Sequence, residues 1–520
     1  MTHVLLAIDD LSLPLRRNVC LYLSTPTVRP EPVLAPSPLE SAAPDNLAAH
    51  FYGTVLHDGG RYRMWYYACH RGRNPDWPPR LRQQVARQPG WLQGVAAGQE
   101  ITQGPLCYAE SDDGIAWTKP ALDQVPFKGS RRHNALALPH TVVSGAAVLR
   151  DDGDPDPARR YKMVYQYIPD QTDPPMPEYG RRPTVACATS PDGLRWTVTA
   201  LPFVDQFVEP CSFIQHQGQY ILHSQAFPGS GWSGVHREDG TAGGRTGVAH
   251  ATSDFDRWPD YWQMAFALPE PRDPAARGAG LAGGSGYDQV HLGIGAASLG
   301  NVCVGLYGLW HDRPDFGQIS GDLGLLVSSD GIRFREPAPA PGHAYVRRQD
   351  SPATPAPGRE FPTILCQGNG ILNVGGQTRI YHGRWRNVGQ QAADIAAHYR
   401  AEVALATLPR DRWGALGLDP GAEAGATCSA PVALSPRGAA VCVNAEGASA
   451  LRVDLLDAAM RPIPGFEDGR PEGGDGLEVA VRWDGHTAAD LGGHTVRVQV
   501  RLRRLGEALP RVYAAYVMPG

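Results

Sequence analysis

The sequence predicts an all-β protein: a five-bladed β-propeller followed by a small C-terminal β-sandwich. Three observations lead there. A strand–turn–strand signature keeps returning, glycine and proline are both abundant (60 and 47 of 520 residues), and a separate set of alternating strands follows the last repeat. Such glycine and proline usage suits a turn-rich β protein. The signature appears as Tyr108-Ala109-Glu110-Ser111-Asp112-Asp113-Gly114-Ile115-Ala116-Trp117. It returns over Cys187 to Trp196 and over Leu325 to Phe334, with weaker copies from His250 to Trp258 and from Ala404 to Trp413. In each strong copy Asp-Gly supplies a turn that tolerates φ > 0, and an aromatic residue anchors the return arm. One hairpin cannot bury its own apolar face, so copies at a spacing of about 60 to 80 residues imply stacked or radially arranged units.

In chain order, residues 1–49 read as a Pro-rich N-terminal lead-in. The propeller is expected over 50–416, where the grammar is strand A, short turn, strand B, long connection, strand C, turn, strand D. Phe51 to Leu56 and Tyr62 to Tyr67 open the first unit. Val142 to Leu149 with Tyr161 to Tyr167 open the second, and Cys211 to Gln215 with Gln219 to Ser224 the third. Val290 to Ala297 with Val302 to Leu309 open the fourth, and Thr363 to Cys366 with Thr378 to His382 the fifth. Radial closure of five such units protects the strand edges. A Gly/Ala-rich linker is expected over 417–427 and a β-sandwich over 428–520. There Val496, Val498, Val500 and Leu502 alternate with polar residues, the period of a half-buried strand.

The totals exclude several functions. A net charge of −5 gives no electrostatic case for nucleic acid or an anionic membrane as a partner. Nine cysteines, with no C-x-x-C and an odd total, argue against a zinc ribbon and a disulfide framework. The N-terminus carries Asp9 and Asp10 where a secretory signal needs an apolar core, and no long apolar run follows. A cytoplasmic protein is the expectation. No metal-ligand spacing appears, so no cofactor is expected; a channel cation would have to lean on His291 or Asp288. A homo-oligomer is left open.

Long connections on one face of a rigid scaffold are where binding residues collect. Trp232, Trp310, His311, Arg384 and Trp385 fall on or beside the B–C connections. His50, Tyr52, His140 and His291 stand where A strands begin. Aromatic faces beside Arg and His donors suit a small carbohydrate, which offers apolar C–H faces and dense hydroxyls. Candidate carboxylates recur at the same place. Glu209 immediately precedes the apolar strand Pro210-Cys211-Ser212-Phe213-Ile214. Asp288 precedes Val290 and His291, Glu360 precedes Phe361-Pro362, and Glu40 and Asp45 lie upstream of His50. Acids gathered at one channel push their pKa values apart, so that one stays protonated while another works ionised.

These residues resemble a family. The five-repeat grammar, the S-x-D-G-x-x-W hairpins and the trailing β-rich region are similar to the five-bladed propeller glycoside hydrolases of families 32 and 43, and to an uncharacterised bacterial family 32-like branch. The likeness is carried by Arg61-Tyr62-Arg63-Met64-Trp65-Tyr66-Tyr67, Tyr108 to Pro120, Arg160 to Val164, Ile463-Pro464-Gly465-Phe466 and Val481-Arg482-Trp483. It implies a glycoside hydrolase or transglycosidase, with Glu209 at the position of the general acid that opens the third blade. The family's first-blade aspartate has no counterpart, since Phe51 and Tyr52 stand near that place. The second-blade R-D-P aspartate has none either, because Arg150-Asp151-Asp152 falls in a turn on the far side. Asp45, Glu40, Asp288 and Glu360 are left as partners for Glu209. Two further readings stay open: a glycoside phosphorylase using Arg181, Arg182, Arg384 or Arg386 to hold phosphate, and a non-catalytic sugar-binding propeller.

Overall fold

The computed structural model describes residues 2–72, 75–76, 101–140, 142–167, 184–200, 208–226, 244–259, 261–273, 286–337, 341–389, 391–506 and 509–520. The chain is nearly all-β, with one α-helix, Ala392–His398, among the described residues. None of their helices is long and apolar enough to cross a membrane.

Five antiparallel units follow one another. The first holds Ala48–Asp58, Arg61–Arg71 and Ile101–Ser111, the second Val143–Arg150, Tyr161–Tyr167, Val185–Ser190 and Thr197–Ala200. The third holds Val208–His216, Gln219–Ala226, Gly247–Thr252 and Gln263–Phe266. The fourth runs Asp288–Ser298, Cys303–His311, Ser320–Ser328 and Ala344–Val346. In the fifth, Thr363–Cys366 and Ile371–Val374 both pair with Gln377–Arg386, which pairs with Arg400–Pro409. A parallel bridge, Gly321 to Ile364, joins the last two units into one sheet.

Every neighbouring pair of units closes over its own apolar cluster. Met64 and Tyr66 meet Tyr381 and Val403 between the fifth and first units. Trp65 and Tyr108 meet Val148 and Met163 between the first and second. Val164 and Cys187 meet Phe213 and Leu222 next, then Ile221 meets Ile294 and Tyr307. Finally Leu306 and Leu325 meet Leu365 and Ile380. One such cluster thus joins the fifth unit back to the first. Asn369 ties three units together: its amide nitrogen donates to the Val148 carbonyl at 2.9 Å, while its backbone exchanges hydrogen bonds with Gly53 and Val55.

The recurring signature proves to be a latch between units. Ser111, Ser190 and Ser328 accept the N–H of Gly114, Gly193 and Gly331 at 2.8, 2.8 and 2.9 Å. Each following aspartate accepts two more N–H groups at 2.8 Å. The freed carbonyls then take donors from the preceding unit. Tyr381 donates to Gly114, Trp65 to Gly193, and His223 Nε2 meets the Gly331 carbonyl, at 2.8, 2.9 and 2.7 Å.

The N-terminal segment is more than a lead-in. His3–Leu6 pairs with Arg511–Pro519, Leu15–Arg17 with Ala424–Cys428, Val19–Leu23 with Gly414–Leu418, and Thr27–Val28 with Arg400–Pro409. The apolar run Val19–Leu23 reads as an entry strand in the sequence, whereas the other three pairings join partners so distant along the chain that no local pattern marks them. The expected linker over 417–427 likewise contains the end of one strand and most of another. Two sheets result, and their strands contribute Leu416, Val443, Val453, Leu455, Val498 and Val512 to one apolar cluster.

Candidate active site

The first strands of four units each break register close to their N-terminal ends. The shifts fall between His50 and Thr54, Val143 and Gly145, Pro210 and Ser212, and His291 and Ile294. A bulge bends its strand and re-aims the side chains beside it, and bulges concentrate next to active sites. In the fourth unit the distortion is severe. Leu292 adopts φ 59° and Gly293 φ 82°, and a bulky residue held there is strained. Gly293 is required, since a Cβ would lie 2.5 Å from the Ser224 carbonyl oxygen.

That close passage delivers the Leu292 N–H to Gln225 Oε1 at 3.1 Å. Gln225 stands opposite Glu209 in register and donates its amide N–H to Oε2 at 3.2 Å. Glu209 keeps a partly accessible surface but sits deep enough that burial, opposed by the charge of Arg245, pushes its carboxyl up to about 7. Burial lowers the Arg245 pKa, with Glu209 and Asp312 holding against it. The guanidinium lies 4.6 Å from the Trp310 ring centre, and Trp310 Nε1 donates to Asp312 at 3.3 Å.

Aromatic rings form the floor. His50 stacks on Tyr67 at 4.5 Å, and Tyr52 stacks on Tyr67 at 5.6 Å. His291 meets Trp310 at 4.4 Å and the edge of Tyr52 at 6.4 Å. Trp385 closes on His50 and Tyr399. Burial pushes the His50 pKa down to about 3, so the neutral ring accepts the Tyr399 hydroxyl at Nε2, 2.5 Å away. Burial, reinforced by Arg245, takes His291 well below its ordinary value. Its Nδ1 is buried with no hydrogen-bond partner among the described residues. A neutral imidazole of this kind is the orphan that a ligand hydroxyl would satisfy.

The structure thus brings together Glu209, His50, Tyr52, His291, Trp310 and Trp385. It does not bring the other expected acids to them. Asp45 is fully buried, and Lys119, Ser37 and Tyr66 donate to it at 2.5, 2.6 and 2.9 Å. Glu40 stands exposed in a turn and Glu360 exposed in the irregular stretch before Thr363–Cys366. Asp288 pairs with His311 Nδ1 at 3.0 Å, and the other ring nitrogen reaches Asp322 at 2.8 Å. Burial pulls the His311 pKa down, but the two carboxylates outweigh it and hold it at about 9. His140 stacks on Tyr167 at 3.5 Å and meets the Tyr165 hydroxyl at 2.7 Å. Arg384 lies within a strand, where its guanidinium donates to Ser351 and to the carbonyls of Arg29 and Pro30. Arg386 donates to the carbonyls of Thr354 and His398. Neither arginine is oriented to hold phosphate. Trp232, Arg181 and Arg182 lie outside the described residues.

Sequence reasoning missed Gln225, Arg245, Tyr67 and Asp312. Counting outward from the Gln217-Gly218 turn would have set Gln225 opposite Glu209 to within a residue. Arg245 stands in no periodic segment and left no signal. No group of three or more His, Cys, Asp or Glu placed to hold a metal ion occurs among the described residues.

No family model matches the chain. Two uncharacterized proteins of Mycobacterium tuberculosis are each 28% identical to it over 184 residues. That match covers 33% of this chain and 45% of the relative, so the chain spans less than half the length of the curated relatives it matches. Similar solved structures include the β-1,2-mannobiose phosphorylase of Listeria innocua, with TM-score 0.41 and 11% identity over 75% of this chain and 96% of that one. The catalytic domain of the GH62 α-L-arabinofuranosidase of Coprinopsis cinerea has TM-score 0.38 and 12% identity over 74% and 97%. A family 117 glycoside hydrolase of Zobellia galactanivorans has TM-score 0.36 and 13% identity over 74% and 90%.

Proposed function

We propose that this chain is a carbohydrate-active enzyme, a glycoside hydrolase or transglycosidase, built as a five-bladed β-propeller with a β-sandwich formed by its terminal strands. The apolar clusters between neighbouring units, including the one that joins the fifth to the first, support the ring. One observation carries the activity: Glu209 is a deep but reachable carboxyl, held opposite Gln225, and its burial pushes the pKa up to about 7. That is the condition a general acid at neutral pH must meet. Glu209 gives its proton to the leaving glycosidic oxygen as the bond to the anomeric carbon breaks. Neutral His291 and charged Arg245 bind ring hydroxyls, and the aromatic floor takes the apolar sugar face.

The nucleophile divides two readings. In hydrolysis a carboxylate activates water or attacks the anomeric carbon directly, and a carboxyl separation of about 5 Å implies retention while roughly 6.5–9.5 Å implies inversion. Asp312, which shares the field of Arg245 with Glu209, is the acid best placed to take part. The engagement of Asp45 and Asp288 elsewhere favours the second reading, a glycoside phosphorylase. There an oxygen of phosphate, drawn by Arg245, attacks the anomeric carbon while Glu209 protonates the departing oxygen.

The test is a screen of aryl glycosides and natural oligosaccharides, with and without phosphate. Turnover that needs phosphate selects phosphorolysis, and turnover without it selects hydrolysis or transfer. Glu209→Gln should remove nearly all turnover while leaving sugar binding intact. Unchanged turnover in that variant would reject Glu209 as the acid. Sugar binding with no turnover of any substrate would leave a binding protein only.

A further inference from the structure

We propose that a groove beside the candidate site holds additional sugar units, so that the substrate is an oligosaccharide longer than the bond at Glu209 requires. The proposal rests on the reading of Glu209 as a glycosidic acid. The groove has a volume of about 510 Å³, within the ~300–1,000 Å³ of small-ligand sites. It lies between the connection from His311 to Ser320, the residues leading into Thr363–Cys366, and the helix Ala392–His398. All three lie at the strand ends where Glu209 opens its own unit.

Two half-buried rings, Phe316 and Phe361, line this groove and rest against the cluster containing Tyr52, Tyr67 and Trp310. Phe316 is 6.2 Å from Trp310, the ring beneath Arg245, so the groove continues the floor of the candidate site. Phe361 is backed by Arg359 at 4.6 Å and by His398 at 5.4 Å. The wall is held in shape before any ligand arrives. Asn387 donates to the carbonyls of Phe316 and Ile319 at 2.7 and 2.9 Å, and Asp315 caps the Gly317 N–H at 2.9 Å. Preorganised walls lower the entropic cost of binding.

The chemistry selects a neutral polyol. Flat apolar faces alternate with the amides of Gln318 and Gln391 and with the Arg359–Asp394 ion pair. Arg359 is balanced by Asp394 and Asp315, which disfavours an anionic occupant. Exposed amides and charges disfavour an apolar protein surface.

The test compares kcat/KM for a 4-nitrophenyl monoglycoside with that for the matching oligosaccharides of two to six units. In the wild type, kcat/KM should rise with chain length. Phe361→Ala and Arg359→Ala should each lower the ratio of long to short substrate about tenfold; Phe361→Leu, which keeps the apolar contact, should lower it less. Arg359 is exposed, so its variant reports even where Phe361→Ala folds poorly. A ratio unchanged in Phe361→Leu and Arg359→Ala overturns the groove and leaves the Glu209 reading standing. Absence of turnover by the wild type, together with no oligosaccharide bound by Glu209→Gln in calorimetry, overturns both.

Discussion

Gln225 and Glu209 face each other across adjacent strands, the Gln225 amide nitrogen donating to Glu209 Oε2 at 3.2 Å. The amide cannot turn round, because its oxygen already accepts the Leu292 N–H. A donor fixed on a carboxylate favours the ionised form and moderates a pKa that burial raises. Gln225→Leu should therefore move the alkaline limb of the kcat/KM profile to higher pH. It should also cost roughly 1–3 kcal/mol of stability, since the Leu292 N–H loses its acceptor. A pH–rate profile and urea denaturation check the two effects, and an unmoved limb would remove Gln225 from the control of the acid.

Arg245 acts on the same proton through charge. Burial raises Glu209 and Arg245 opposes it, so burial is the larger effect in the present balance. Arg245→Met should move the alkaline limb further upward. Arg245→Lys keeps the charge but loses the flat guanidinium over Trp310, so its limb should stay near the wild-type position while kcat/KM falls about tenfold. Equal profiles for the two variants would show that charge is not what Arg245 contributes.

Glu209 draws the eye because an acid placed directly before an apolar strand stands out in a single sequence. Asp45 looked equivalent by the same rule. What separates them is Lys119 and Tyr66, which claim Asp45 through tertiary contacts that no local pattern encodes. The hairpins were legible as turns, but their second role was not. Asp-Gly predicts φ > 0, whereas the donors that fill the Gly114 and Gly193 carbonyls come from Tyr381 and Trp65, far away along the chain. Leu15–Arg17 and Thr27–Val28 were invisible for a different reason. Edge strands this short and polar carry no periodicity, and their pairing is set by partners some 400 residues later.

The raised carboxyl also fixes a pH dependence of stability. The ordinary Glu value is 4.5 and the folded value is about 7, so between them the native state holds a proton that the unfolded chain has released. Stability then falls as pH rises through that window. Below 4.5 both states are protonated and the effect vanishes; above 7 the full penalty applies, roughly 2 kcal/mol with allowance for partial solvent access. Glu209→Gln, which carries no charge, should be more stable than wild type at pH 8 by about that amount and equal to it at pH 4. Urea denaturation at the two pH values checks this. A variant equally stable at pH 8 would mean that the Glu209 carboxylate is solvated rather than buried.

The inter-unit latch predicts that two glycines in similar turns will respond differently. Gly59 (φ 59°) and Gly193 (φ 73°) both adopt left-handed backbone, so alanine at either meets the same intrinsic strain of about 1 kcal/mol. At Gly59 an added Cβ meets nothing within 4 Å. At Gly193 it would come 2.9 Å from Trp65 Cζ2 and 3.3 Å from the Arg63 guanidinium. Trp65 is fully buried and donates to the Gly193 carbonyl, so it cannot retreat without loosening the contact between the first and second units. Gly59→Ala should therefore cost about 1 kcal/mol and Gly193→Ala roughly 3 kcal/mol, the excess being the overpacking of that contact. Urea denaturation of both variants decides between a local turn and a latch: equal losses would mean that the hairpin holds only itself.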